Sequence, residues 1–429
     1  MADVFPSRVQ QETFVTRHDI KLQLYCKTSL VPKCIVVLTH GVQSHAAFEW
    51  MSYPVQLGGQ MRVESGSEKS WLSKLADELP ADVWAYDIQG HGRSGGKRGN
   101  VRVFEDYSCD LLEIVSYIQG KATAAGRGSI PCYLMGISMG GCITCRAVEI
   151  LGLALLQPGD ASADKAIGRI LENRDRFIFR GEYPVPKLEP QVDGVILLAP
   201  MLSLEKLKKR TSHKLMMPFA GIVSRYLPGL KVGAVAPNEK FPYVDQQKKI
   251  DKLAITGKTP ARLCAQALRA VDAVNQSAAA LGRHTEVGTF MLRIYHSEND
   301  GMCDPDGSKT FILKPPLKDK KLFLLDKSAT LSDSEFLECI RLDMWHYLTL
   351  EPATATLREH VTNQIKCHLD RTSRGNVPVV KEANLDLTNV DDEIQAARAA
   401  EQNAMDLDDF GGEDTDFDVP YNEPSSDEE

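Results

Sequence analysis

The sequence predicts an α/β fold: a mostly parallel central sheet flanked by helices, with one helical insertion. Three observations carry this. Short apolar runs of strand length recur along the chain, helix-like stretches separate several of them, and the strand pattern lapses once, from about 203 to 287. The runs are Ile35 to Thr39, Val83 to Asp87, Cys132 to Gly136, Val195 to Ala199, Phe290 to Tyr295 and Lys321 to Leu325. They are continuous rather than alternating, the pattern of strands buried on both faces, as parallel sheets require. Trp71 to Leu79 and Phe104 to Ile118 place apolar residues at a 3.6-residue period and read as covering helices. At the start, Thr13 to Thr16 and Ile20 to Cys26 alternate and read as an antiparallel hairpin at the sheet edge. Residues 54 to 70 read as an exposed insertion, and 157 to 190 as another, rich in Gly, Asp, Arg and Pro. No internal repeat is visible.

A chain of 429 residues with 43% hydrophobic content can bury a large core without staples. The opening MADVFPSRVQQ turns polar at once, so a secretory signal is not expected, and no apolar run approaches the roughly 18 residues of a membrane span. The ten cysteines have no framework spacing, which fits a reducing, cytoplasmic compartment. Cys142 and Cys145 have C-x-x-C spacing but no second pair, so they read as buried helix residues rather than a metal site. The net charge of −8 divides unevenly. Residues 391 to 429 hold 15 acids against one arginine, giving −14 there and +6 on the remainder. A mildly basic body suits an anionic lipid surface, but no Lys/Arg patch with interleaved aromatics points to nucleic acid. Beyond about 385 few large apolar residues remain, the composition of a disordered tail.

The chemistry starts at GISMGG, where Gly136, Ser138 and Gly140 fit G-x-S-x-G directly after a predicted strand. Such a serine sits on a strained strand-to-helix turn that exposes its hydroxyl, with glycines two positions either side to avoid a clash. The hydroxyl needs an imidazole to take its proton, and the imidazole needs an acid to hold its tautomer. In that chain order the acid is Asp300, in the loop after FMLRIY, with Glu298, Asp304 and Asp306 as rivals. The base is His346, in DMWHYL, against His296, His360 and His368. Oxyanion donors are expected from the backbone N–H of Met139, after the nucleophile, and of Val42, in the His40-Gly41-Val42 turn after IVVLT. His40 reads as a packing residue that shapes the turn. No metal or organic cofactor is required.

LTHGVQSH, AYDIQGHGRSGGKRG, GISMGG, LLAPM, the DGMCD run at 300 to 304 and MWHYL, in this order over about residues 10 to 370, resemble the serine hydrolases that include monoacylglycerol lipases and lysophospholipases. HG-x-x-SH, SWL and D-x-QGHG-x-S are also similar to the lysophospholipase-like proteins of apicomplexan parasites. The resemblance implies an α/β-hydrolase fold, a Ser138, Asp300, His346 triad and the Val42 and Met139 oxyanion donors. It implies a core over 1–202 and 288–384, a lid over 203–287 that shapes an acyl tunnel and touches membrane peripherally, and an acidic tail over 385–429. The substrate it implies is a fatty-acyl ester. Monoacylglycerol lipases carry Glu and Arg in HG-x-GEH-x-x-R and a second histidine three positions after the base; this chain has Ser44, Phe48 and Thr349 there, so a lysophospholipid head group is an equal expectation. Cys303 corresponds to a cysteine near the acid in related lipases and reads as a packing residue beside the site, with oxidant sensitivity as its alternative. A thioesterase or general carboxylesterase is the second reading, and a silent scaffold the third. In the tail, Ser425 and Ser426 precede acids in the manner of an acidic-directed kinase site, which suggests a tail that folds back on the basic body.

Overall fold

The computed structural model describes residues 4–127, 129–155, 190–205, 224–233, 235–285, 288–326 and 335–373. Among these, nine strands form one sheet. They are β1 (Gln10–Val15), β2 (Lys21–Lys27), β3 (Cys34–Thr39), β6 (Ala81–Tyr86), β7 (Cys132–Ile137), β8 (Gly194–Leu198), β11 (Met291–Ser297), β12 (Asp319–Leu325) and β13 (Leu337–Ile340), in the spatial order β1-β2-β6-β3-β7-β8-β11-β12-β13. From β6 to β13 all neighbours are parallel, while β1 and β2 pair antiparallel at the edge, with Leu24 opposite Tyr86. Each predicted apolar run is a strand of this sheet, with ends shifted by up to two residues. The order and direction of the strands are those of an α/β-hydrolase.

Burial explains the continuous runs. Every residue of CIVVLT, ADVWAY and CYLMGI is buried. Successive residues serve opposite faces, so Ile35, Val37 and Leu134 join one core and Val36, Leu38 and Met135 the other. The first face is covered by α3 (Glu105–Ala124) and α4 (Met139–Leu155), the second by α2 (Trp71–Glu78) and α8 (Thr354–Ser373). The second face is closed by a buried bond from Trp71 Nε1 to Thr354 Oγ1 at 2.7 Å. Cys142 and Cys145 are buried on α4, as their place after the glycine pair suggested.

Two segments differ from the sequence reading. Residues 54 to 70, expected as an exposed insertion, contain most of an antiparallel hairpin, β4 (Ser52–Leu57) with β5 (Gln60–Ser65). Its Val63 is buried against Phe48, Tyr347 and Val244, the last on α5 (Pro242–Ile250). Between β8 and β11 the described residues are not wholly helical, because β9 (Lys231–Gly233) pairs with β10 (Thr259–Pro260). The following helix, α6 (Ala261–Ser277), buries Leu263, Val271 and Val274 in the same core as α4. Gly152 of α4 makes that approach close: a methyl there would run into the carbonyl oxygen of Ala280. Gly152→Ala is therefore expected to destabilise the fold by about 1–3 kcal/mol through overpacking, measured as a lowered midpoint of chemical denaturation. The 157 to 190 insertion, apart from residue 190, and the acidic tail lie outside the described residues. No helix among the described residues is long and apolar enough to cross a membrane.

Candidate active site

Ser138, Met139, Val42, Asp300 and His346 each lie beyond the carboxyl end of a parallel strand, where ligands bind in open α/β sheets. Ser138 stands between β7 and α4 at φ 55°, a left-handed conformation that costs a non-glycine residue about 1–3 kcal/mol and points to function. Neighbours over-determine it. Its N–H donates to Leu198 O, and its carbonyl accepts from Gly141 N and Met201 N, all at 3.0 Å. A side chain at Gly140 would meet the carbonyl oxygens of Thr39 and His40, so this glycine is dictated by the closeness of β3. Met139 opens α4, and its N–H therefore belongs to the electropositive end of a 17-residue helix.

The turn after β3 comes against the serine, since a methyl built on Gly41 would lie 3.3 Å from Ser138 Cβ. Val42 is the next residue of this turn. His40 is fully buried, accepts from Ile88 N–H at Nε2 (3.0 Å) and so donates from Nδ1 to Gly41 O (2.8 Å). Burial holds its pKa well below the ordinary histidine value, so the ring is a neutral brace for the turn.

Asp300 follows β11 and is buried with four donors. Its Oδ1 accepts from the N–H groups of Met302 (2.7 Å) and Cys303 (3.0 Å), and its Oδ2 meets His346 Nδ1 at 2.7 Å and His296 Nε2 at 3.2 Å. Burial opposes its ionisation, but the two imidazoles outweigh it and hold the carboxyl far below its usual range. For His346 burial opposes protonation, and the Asp300 carboxylate reverses the balance and raises the pKa above 6.5. With Nδ1 engaged by the carboxylate, Nε2 is left as the basic nitrogen.

Ser138 Oγ contacts Cys303 Sγ at 3.9 Å, and no hydrogen bond joins it to His346 among the described residues. Cys303 thus touches Ser138 through its sulfur and Asp300 through its N–H. Burial pushes its thiol well up, so it is a packing group rather than a thiolate at neutral pH.

The rivals have other employment. Asp304 caps α7 (Pro305–Ile312) by accepting from Asp306 N, and Glu298 and Asp306 pair with Lys309. His360 meets the Tyr295 hydroxyl, and His368 the Tyr133 hydroxyl. His296, set aside in the sequence because it precedes the acid, shares the Asp300 carboxylate, with Nδ1 accepting from Ser308 Oγ at 2.7 Å.

Sequence reasoning missed Glu351. Its buried carboxylate accepts the N–H groups of Trp345 (2.6 Å), His346 (2.9 Å) and Tyr347 (2.8 Å), and so fixes the loop that carries His346. Its place five residues after His346, inside the apolar LTLEP stretch, was the available signal. Burial pushes its carboxyl up to about 7 against those donors. A raised folded-state value means its contribution to stability is present below about 4.5 and is lost as pH rises through about 7. Glu351→Gln turns an amide towards three donors and is expected to cost about 1–3 kcal/mol of stability, with a fall in kcat, checked by thermal denaturation and kinetics together.

The family described as serine aminopeptidase, S33 (Hydrolase_4) matches residues 67–156 and 184–329, more than half of the chain. The chain belongs to this family. Ser138 and Asp300 fall inside the matched stretches, while Val42 and His346 lie outside them. The chain is 25% identical to the monoacylglycerol lipase of Mycolicibacterium smegmatis over 338 residues, covering 79% of this chain and 90% of that protein. It is 28% identical to the monoglyceride lipase of Rattus norvegicus over 139 residues, 31% of this chain and 38% of that protein. Among solved structures, the monoacylglycerol lipase of Paleococcus ferrophilus matches with TM-score 0.52 at 17% identity, over 80% of this chain and 99% of that one. A soluble variant of the Saccharomyces cerevisiae monoglyceride lipase matches with TM-score 0.52 at 16% identity, over 86% and 96%. At these identities the structural likeness shows the fold, that of an α/β-hydrolase.

Proposed function

We propose that the chain is a serine ester hydrolase that cleaves fatty-acyl esters of monoacylglycerols or lysophospholipids through an acyl-enzyme intermediate. The class, carboxylic ester hydrolase, follows from the family and the lipase relative aligned over most of both chains. The observation that carries the mechanism is a strained Ser138 linked through Cys303 to an Asp300–His346 couple with a 2.7 Å bond. Ser138 Oγ attacks the acyl carbonyl carbon while its proton passes to His346 Nε2, and Asp300 stabilises the imidazolium. Negative charge on the former carbonyl oxygen is met by the Val42 and Met139 N–H groups, each donor of this kind being worth about 3 kcal/mol. Collapse expels the alcohol with the proton from His346, and water then releases the fatty acid by the same steps. No cofactor enters this scheme.

The 203–287 insertion is assigned to acyl-chain binding. Its exposed Tyr226, Leu227, Leu230 and Ile250 support peripheral contact with a lipid surface. The test is turnover of a matched panel: a long-chain monoacylglycerol, lysophosphatidylcholine, an acyl thioester and a short p-nitrophenyl ester. Preference for either long-chain oxygen ester supports the proposal and names the head group. Preference for the thioester or the short ester overturns it in favour of a thioesterase or general esterase.

A further inference from the structure

The turn that carries Val42 is held from outside the sheet. Gln43, the next residue, has φ 58°, a left-handed conformation unusual for a residue with a long side chain. Strain of this sort persists only where the surroundings impose it. Here the imposing segment lies some 200 residues later, between α5 and β10. Gln43 Nε2 donates to Gly257 O (2.9 Å) and Thr259 Oγ1 (3.2 Å), while Gln43 O accepts from Ile255 N–H (3.1 Å). His45 Nε2 meets Asp251 Oδ2 at 3.0 Å. Lys248 Nζ reaches inward from α5 and donates to Val42 O and to the Tyr347 hydroxyl, both at 3.3 Å.

Lys248 is the least expected member of this set. Its side chain is only 7% exposed, and burying an ammonium is costly unless acceptors replace the lost water. Its acceptors belong to the two loops that flank the reaction: Val42 precedes the strained Gln43, and Tyr347 follows His346. An apolar side chain could fill the same space over the Tyr347 ring, 5.4 Å from the ammonium, without that cost. A lysine supplies two things an apolar side chain cannot: a positive charge facing the carboxylates of Glu49 and Asp245, and a donor that fixes the Val42 carbonyl and with it the 42–43 peptide, one end of the residue whose N–H is at issue.

We propose that Lys248 and Gln43 are positioning residues, and that residues 248–259 form a clamp which holds the Val42 N–H where the oxyanion develops. This rests on the reading of Val42 as an oxyanion donor. The β4–β5 hairpin supports the clamp from behind, since Val63 packs on Val244 of α5. The segment between α5 and β10 is thus part of the catalytic frame rather than a cover over it. Substrate affinity and oxyanion stabilisation are then separable, because the clamp acts on residue 42.

Gln43→Gly and Lys248→Met test this. Glycine adopts φ 58° without strain, so Gln43→Gly removes the side-chain ties while keeping the turn conformation accessible. Both variants are expected to lose about tenfold to hundredfold in kcat with KM changed less than twofold. Inhibition by a long-chain trifluoromethyl ketone should weaken by a similar factor. Ser138 Oγ bonds to the ketone carbon, the ketone oxygen takes the negative charge, and the serine proton passes to His346. Amide hydrogen exchange at residues 41–45 should rise in both variants. Unchanged kcat in Gln43→Gly, or a loss confined to KM, overturns the clamp. If the unaltered protein neither hydrolyses esters nor binds the ketone, the proposed function fails instead. The exchange measurement then decides the clamp alone: faster exchange at 41–45 supports it and unchanged exchange overturns it.

Discussion

Ser138→Ala is expected to lower kcat for the preferred long-chain ester by about 10⁶-fold and to abolish labelling by a fluorophosphonate, with the melting temperature unchanged within a few degrees. The magnitude follows from the step removed. Without Oγ no acyl-enzyme forms, and the Asp300–His346 couple has only water to activate. The fold should tolerate the change because the strain at φ 55° belongs to the backbone, which Leu198, Gly141 and Met201 hold through main-chain bonds that alanine keeps. The lost side-chain contact is the 3.9 Å approach to Cys303 Sγ, too weak to matter for stability. A variant that retains a tenth of the activity would place the nucleophile elsewhere.

What could be read before the structure was what depends on neighbours in sequence. The sheet was legible because β3, β6, β7, β8 and β11 are buried on both faces and so carry uninterrupted apolar runs. Ser138 was legible because its turn imposes glycines two positions either side. The acid was not: four carboxylates lie within nine residues after β11, and only packing shows that Asp304 caps a helix while Glu298 and Asp306 face Lys309. Gln43 and Lys248 bond to residues more than 200 positions away, and no local pattern marks such a residue, whereas Glu351 accepts from N–H groups four to six residues before it and was overlooked. The β4–β5 hairpin, by contrast, was readable and overlooked. Its strands meet at Gly58–Gly59, both with positive φ, the signature of a tight hairpin turn. β13 escaped because it is four half-buried residues at the sheet edge.

Asp300→Asn is expected to lower kcat by about 10⁴-fold and to move the acid limb of the pH–rate profile downwards. The carboxylate of Asp300 accepts from four donors at once, two main-chain N–H groups on Oδ1 and two imidazoles on Oδ2. Asparagine has one acceptor oxygen. If that oxygen keeps Met302 and Cys303, the amide NH₂ faces His346 Nδ1, which can then only accept. The single proton of the neutral ring moves to Nε2, and the nitrogen that should take the serine proton already carries one. The pH dependence follows from the same loss. In the unaltered enzyme Asp300 holds the His346 pKa above 6.5, so activity should fall as pH drops through a value above 6.5 and the base becomes protonated. With the charge removed, burial dominates and lowers the pKa, so the weak residual activity should persist to more acid pH. Stability should fall by an amount that depends on pH. The depressed Asp300 carboxyl contributes stability above its ordinary value of 3.8 that is lost as pH falls, whereas the raised His346 contributes below 6.5 and loses its share as pH rises. Asp300→Asn removes both terms, so its stability deficit should be largest between these two values, measurable as the difference in melting temperature across a pH series. A variant with wild-type kcat and an unmoved acid limb would assign the acid's role to another carboxylate.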